Sequence, residues 1–304
     1  MTARLSPNFY KTTVVLIDDE QHFLDALTQS IPASLRHNTF TDPISALAHI
    51  NNLYQPPKAQ SDNLFFNIGN KQYDYMKYDE LSVVVVDYDM PEMNGLDFCL
   101  RIENPSIRKV LLTGAASLTN VVDAFNNGTI HYYLDKKTPE LGNRLSEVVI
   151  AMQKSYFQES LELEALVKEP FSDIFLDQKF SDYFQSVCND YNVHEHYFNP
   201  KTSSFTLCSS VQELILVVVD DEQQQEHMTI ISEEEGPNTW IEKLRSRKYA
   251  PFFISSDGFY TPETQRDIDP LFKATTIRGQ KNYYCALFDA VMVEPTIENL
   301  KMIN

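Results

Sequence analysis

The chain is poor in positive charge. Its 304 residues carry 25 Lys and Arg against 43 Asp and Glu, a formal net charge of −18. The deficit runs through both halves: residues 1–150 hold 12 basic against 18 acidic side chains, and residues 151–304 hold 13 against 25. Neither half has the basic footprint that binding a phosphate backbone requires, which argues against DNA as a target. Cysteines are few. Cys99, Cys188, Cys208 and Cys285 lie far apart with no CxxC spacing, so reduced thiols are expected. No apolar run approaches the ~18 residues of a membrane span. The opening stretch, MTARLSPNFYKTT, lacks the apolar region of a secretory signal, and a cytoplasmic location is expected. Also missing are a helix-turn-helix, a Gly-rich phosphate loop, HExxH, a nucleophile elbow and the Gly-Gly-acid and EAL-type signatures of cyclic-dinucleotide enzymes.

What is present is an alternation. With 43% apolar residues the chain can build real cores, and its length suits two domains. Short, solidly apolar runs occur at Thr13–Ile17, 81–86, 109–112 and 132–134, with a weaker one, NTFTD, at 38–42. Helical patterns lie between them. Phe23, Leu24, Leu27 and Ile31 recur at spacings of three and four, and Asp42 caps a helix that has Pro43 at its first position. Further helices are predicted over 94–102 and 118–126, and a long one from Thr138-Pro139. Strands that are apolar on both sides, alternating with helices, imply a parallel sheet covered on both faces. Residues 54–79, YQPPKAQSDNLFFNIGNKQYDYMKYD, exceed the few residues such a connection needs and read as a structural or contact insertion.

In a doubly wound sheet the chemistry gathers at the carboxyl ends of the strands. The first strand ends on Asp18-Asp19-Glu20 and the third on Asp87, and the topology makes those ends neighbours. Clustered carboxylates repel unless a cation lies among them, and an all-oxygen set suits Mg²⁺. Asp87 is then a candidate nucleophile toward a phosphoryl group. Lys136, after the fifth strand, supplies a second positive charge, and Thr113, ending the fourth, supplies a hydroxyl.

Four elements, LIDDE at 16–20, DYDMPEMNG at 87–95, LLTGAAS at 111–117 and YYLDKK at 132–137, together resemble the receiver domain of two-component response regulators. The resemblance covers about 13–150. It implies a flavodoxin-like, doubly wound five-stranded parallel sheet in which a histidine kinase phosphorylates Asp87. It also implies Mg²⁺ held by Asp18, Asp19, Asp87 and the backbone carbonyl of Asp89. Thr113 becomes the switch hydroxyl, Lys136 the phosphate-contacting lysine and Tyr133, rather than Tyr132, the switch aromatic. Met90, Pro91 and Gly95 shape the loop. Lys137 stands where the family usually has proline, and the stretch from Gly128 to Lys136 is one residue longer than usual.

The expected organisation is a receiver over 1–140, a linker helix over 141–170, and a smaller α+β output domain over 171–304. Leu145, Val149, Met152, Tyr156, Glu159, Leu163 and Leu166 alternate four and three apart, a heptad seam that fits either a homodimer helix or one amphipathic helix packed on its own sheet and followed by a linker. The last part carries no family motif, although it is similar to uncharacterised output domains fused to receivers in some gammaproteobacterial regulators. An aromatic helix is predicted over 171–191, strands over 193–198, 203–210 and 214–220, two further helices, and a hairpin turning at Gly279-Gln280. His194 and His196 read as polar residues on a solvated strand face. Asp220-Asp221-Glu222, which echoes Asp18-Asp19-Glu20, reads as a helix cap. Lys243, Arg245, Arg247 and Lys248 form the basic cluster of this half. A response regulator whose output binds a protein or ligand fits best. The alternatives are an enzyme gated by the receiver and an atypical transcriptional regulator.

Overall fold

In a computed structural model of the chain, residues 5–33, 35–54, 80–114, 118–159, 172–254, 258–262 and 269–293 are described. They form two compact units: one from residues 11–54 and 80–159, the other from residues 5–10 and 172–293. The first strand, β1 (Asn8–Phe9), belongs to the second unit.

The first unit is built on five parallel strands. They are β2 (Thr13–Ile17), β3 (His37–Phe40), β4 (Leu81–Asp87), β5 (Arg108–Thr113) and β6 (Tyr132–Asp135), in the order β3-β2-β4-β5-β6. Alternate side chains of the central strands feed two separate cores. Val14, Leu16, Val83, Val85, Val110 and Leu112 face α1 (Gln21–Ser30) and α5 (Leu141–Gln158). Val15, Ile17, Val84, Val86 and Leu111 face α2 (Pro43–Leu53), α3 (Gly95–Leu100) and α4 (Leu118–Asn126). Both faces being apolar explains why the runs carry no polar alternation. This is a flavodoxin-like, doubly wound architecture, and its strands match the sequence reading to within two residues. Asp42 caps α2 as expected, accepting from the N–H groups of Ile44 and Ser45. The insertion lies outside the described residues from 55 to 79.

The long helix packs on its own sheet over the described residues. It begins at Leu141, because Asp135 folds the preceding residues into a turn: its carboxylate accepts the N–H of Lys137 and its carbonyl that of Thr138. Glu140 then enters the helix at φ 52°. Within α5, Leu145, Val149 and Tyr156 are buried and Met152 packs beside them, against the unit's own sheet. Over 141–158 the heptad seam is therefore a core stripe and not a free dimer face. Leu163 and Leu166 lie outside the described residues. Gln153 and Tyr156 tie α5 to the amino ends of the strands, through hydrogen bonds to Thr12 at 2.8 Å and Glu80 at 2.8 Å.

The second unit carries an antiparallel sheet. Its order is β1-β7-β8-β9-β13-β12, with β7 (Glu195–Asn199), β8 (Ser204–Cys208), β9 (Glu213–Asp220), β12 (Thr275–Arg278) and β13 (Asn282–Asp289). One face holds Phe198, Phe205, Leu207, Val218 and Tyr283 under α6 (Ser172–Leu176) and α7 (Gln178–Asp190). The other buries Val217, Val219, Ala286 and Phe288 against a two-stranded ribbon, β10 (Tyr249–Pro251) and β11 (Leu271–Lys273). Helices α8 (Asp221–Glu233) and α9 (Asn238–Arg245) pack around Ile231, Leu244, Phe253 and Tyr260. The predicted aromatic helix is two helices. Asp177 breaks it by capping α7 with bonds from the N–H groups of Lys179 and Phe180, and its other oxygen accepts the N–H of Gln280. The hairpin turns at Gly279-Gln280 as read.

His196 is not on a solvated face. Its ring packs against Phe205 and edge-on to Phe184 of α7, and its Nε2 contacts the carbonyl of Ser6 at 3.0 Å, just before the edge strand β1. Of the basic cluster, Lys243 pairs with Asp269 and Arg247 with Asp221 and the Tyr284 hydroxyl, so these charges are already engaged. All four cysteines are free thiols. Among the described residues no helix is long and apolar enough to cross a membrane.

Candidate functional site

Parallel pairing of β2 with β4 sets Ile17 beside Val86, so the residues that follow each strand emerge side by side. Asp18 and Asp87 are buried and Asp19 is exposed, and one carboxylate oxygen of each lies within 4.8 Å of the others. Backbone geometry fixes Asp18, whose Oδ1 accepts the N–H of Glu20 at 3.0 Å. Lys136 arrives from β6, its backbone N–H bonded to the Thr113 carbonyl at 2.9 Å. Its Nζ lies 2.6 Å from Asp18 Oδ2 and 2.8 Å from Asp87 Oδ1. The three sequence-predicted acids and the lysine thus meet at one point, from three strands.

The electrostatics follow from burial. Desolvation holds the Asp18 carboxyl above its ordinary value, opposed by its bonds to Lys136 and Glu20. For Lys136, burial works against the charge, but the bonds to Asp18 and Asp87 outweigh it and raise its pKa. One ammonium between two buried carboxylates leaves the group net negative, with the Asp19 carboxylate at its edge. An all-oxygen, anionic donor set of this kind fits Mg²⁺, which takes few protein ligands and keeps its waters.

The loop after β4 is held by contacts that its residue types make possible. Met90 and Met93 are buried in the core on the α2–α4 face. Glu92 between them takes φ 68°, and Gly95 donates its N–H to the Tyr88 carbonyl at 2.9 Å. A Cβ on Gly95 would lie 2.2 Å from the Asp87 carbonyl oxygen, so this glycine is required for close approach rather than for a left-handed turn. Asp89 is exposed in the bend directly after the strand. Thr113 ends β5, opposite Asp135 in the register. Lys137 occupies the usual proline position, and its N–H, which proline lacks, is used in the Asp135 turn.

The two aromatic candidates face opposite ways, as neighbours on a strand must. Tyr132 packs with the α1–α5 core and accepts a bond from Arg144 at 3.0 Å. Tyr133 is on the α4 face and 41% exposed. The sequence reading missed Phe23. Lys136 Nζ sits 4.5 Å from the centroid of its ring. A helical aromatic five residues past Asp18 was visible, but its partner lies 113 positions away.

The Legionella pneumophila response regulator LqsR, a solved structure, shares the fold across both units. The TM-score is 0.71, with 24% identity, covering 95% of this chain and 91% of that one. A CheY-like response regulator receiver domain protein from Methanospirillum hungatei JF-1 is 18% identical, with a TM-score of 0.34, over 48% of this chain and 97% of its own. By sequence, the transcriptional regulatory protein FlgR of Helicobacter pylori is 30% identical over 119 residues. That match spans 38% of this chain and 30% of the relative's length. No protein-family model matches the chain.

Proposed function

We propose that the chain is a phosphorylation-switched response regulator, with Asp87 as phosphoacceptor. The observation that carries this reading is the buried Asp87 at the end of β4, within 4.8 Å of Asp18 and Asp19 and 2.8 Å from Lys136 Nζ. A sensor histidine kinase or phosphotransfer protein presents a phosphohistidine. An Asp87 carboxylate oxygen attacks phosphorus, the P–N bond breaks, and its electron pair stays on the imidazole. The product is an acyl phosphate. The carboxylates of Asp18, Asp19 and Asp87 and the carbonyl of Asp89 would hold Mg²⁺, which would supply positive charge against the transferring group. Lys136 moves with the negative charge from the Asp87 oxygen onto the phosphoryl oxygens. The Thr113 hydroxyl turns toward the same oxygens and Tyr133 moves inward behind it, shifting a two-state balance on the α4 face.

The output belongs to residues 171–304 and acts in the cytoplasm through a protein or small-ligand partner. The acidic balance of that half disfavours a DNA target, although FlgR is named a transcriptional regulator. The test is incubation of the chain with acetyl phosphate and Mg²⁺, read by intact mass. Gain of one phosphoryl group, absent in Asp87→Asn, is the expected result. No gain, with a control receiver modified in parallel, would overturn it.

A further inference from the structure

Phe23 lies outside the four elements that mark the site, yet its ring lies against the site's mobile charge. Lysine has a long, freely rotating side chain, and Asp18 and Asp87 alone do not fix the direction from which the ammonium approaches. The ring does. It bounds the ammonium on the α1 side at 4.5 Å, where the negative face of an aromatic ring attracts a cation. Phe23 is itself held. It is partly buried in the core between α1 and α5. It also lines a groove with Leu27, Leu141 and Gly142. At Gly142 the two helices touch so closely that a Cβ would lie 2.1 Å from Ser30 Oγ. The contact leaves α1 little freedom to rotate about its axis and carry Phe23 away from Lys136.

We infer that Phe23 is a positioning residue for phosphoryl transfer: its ring keeps the Lys136 ammonium above Asp87, where the phosphoryl oxygens arrive. This deepens the phosphoacceptor reading and rests on it. In the step concerned, with acetyl phosphate as donor, an electron pair of an Asp87 oxygen forms the new P–O bond. The P–O bond to acetate breaks, its pair leaves with acetate, and no proton moves. Negative charge passes from the carboxylate to the phosphoryl oxygens, and a pre-aimed ammonium meets it there.

The test compares Phe23→Leu, which keeps apolar bulk without a ring face, with Phe23→Tyr, which keeps the face. Both are first checked for the wild-type melting transition. Phe23→Leu should slow phosphorylation by acetyl phosphate about threefold to thirtyfold, the range from an exposed to a desolvated cation–π contact. Phe23→Tyr should return it to near the wild-type rate. The second readout needs no phosphodonor: the side-chain methylene protons of Lys136 should be ring-shifted upfield in wild type and Phe23→Tyr, and lose that shift in Phe23→Leu. A wild-type rate in Phe23→Leu, or an equally slow Phe23→Tyr, would overturn the inference. Lys136 resonances indifferent to the substitution would do the same. If wild type itself takes up no phosphoryl group, the receiver reading falls and this role with it, while the Lys136 shift still reports whether the ring holds the ammonium.

Discussion

The chain uses nearly the same words twice, with different results. In the first unit VVLI runs into Asp18-Asp19-Glu20; in the second LILVVV runs into Asp220-Asp221-Glu222. The neighbours of β2 are parallel, so a second strand, β4, ends beside it and delivers Asp87. The neighbours of β9 are antiparallel, so what lies beside Asp220 is the beginning of β13, at Tyr283. Asp220 there completes a capping box with Gln223 on α8 and pairs with Lys281 at 3.0 Å. Asp221 is engaged by Arg247 and Tyr284. Strand direction, not the acids themselves, decides whether charge accumulates into a reactive cluster or is absorbed into caps and ion pairs.

The largest difference should come from removing one acid from each place. Asp87→Asn should abolish phosphoryl uptake entirely, as read by intact mass. Asp220→Ala should leave uptake unchanged and cost about 1 kcal/mol of stability in urea melts, the usual cost of a lost helix cap. Uptake lost in Asp220→Ala would mean that the second DDE is not merely structural.

The lysines give the next contrast. Lys136 bridges two buried carboxylates, and its side chain is 20% exposed; that of Lys281 is 39% exposed. Without divalent cation, Lys136→Ala should cost about 3 kcal/mol, because buried charge is left uncompensated. Adding Mg²⁺ should recover part of that loss. Lys281→Ala should cost at most about 1 kcal/mol, as exposed pairs do. Equal losses, by chemical denaturation, would undo the distinction between the two sites.

Acid should separate the units as well. Burial pushes His196 and His227 of the second unit down to about 4, and burial with the charge of Arg108 does the same to His131 of the first. His227 sits between Phe253 and Phe259, and His131 faces Arg108, Lys109 and, farther off, Glu159. Each folded value lies below the unfolded one near 6.5, so the unfolded chain binds these protons first. The histidine contribution to stability is thus complete above about 6.5 and declines as pH falls toward 4. With two such histidines, the second unit should lose melting temperature faster between pH 7 and 4.5. His227→Phe should flatten that slope, and an unchanged slope would acquit His227. Smallest of all, Tyr133→Phe should leave stability within about 0.5 kcal/mol, as surface changes do. Its effect should be confined to the phosphorylated state, detected as altered amide exchange on α4.

The parallel sheet was legible almost strand for strand, because strands buried on both faces must be written as unbroken apolar runs. Its acids and Lys136 were legible for a related reason: each lies within two residues of the end of such a run. The seam was legible but not its partner, since Leu145, Val149 and Tyr156 carry a periodicity that serves a helix packed on a sheet as well as one packed on a copy of itself. Strand β1 left no readable trace. Two residues, Asn8 and Phe9, have no period, and their partners Tyr197 and His196 lie far along the chain. The ribbon of β10 and β11 escaped for the same reason: each strand has only three residues.

What the sequence by itself determined was therefore local and periodic: where strands and helices run, that the sheet is parallel, and which carboxylates stand at strand ends. Tertiary structure alone decided which of those acids share a site, that residues 5–10 belong to the second unit, that His196 is buried, and that Phe23 faces Lys136. The physical reason is separation. A side chain's own segment fixes its secondary structure through periodicity, but its electrostatic and packing partners come from strands and helices whose adjacency is set only when the whole core closes.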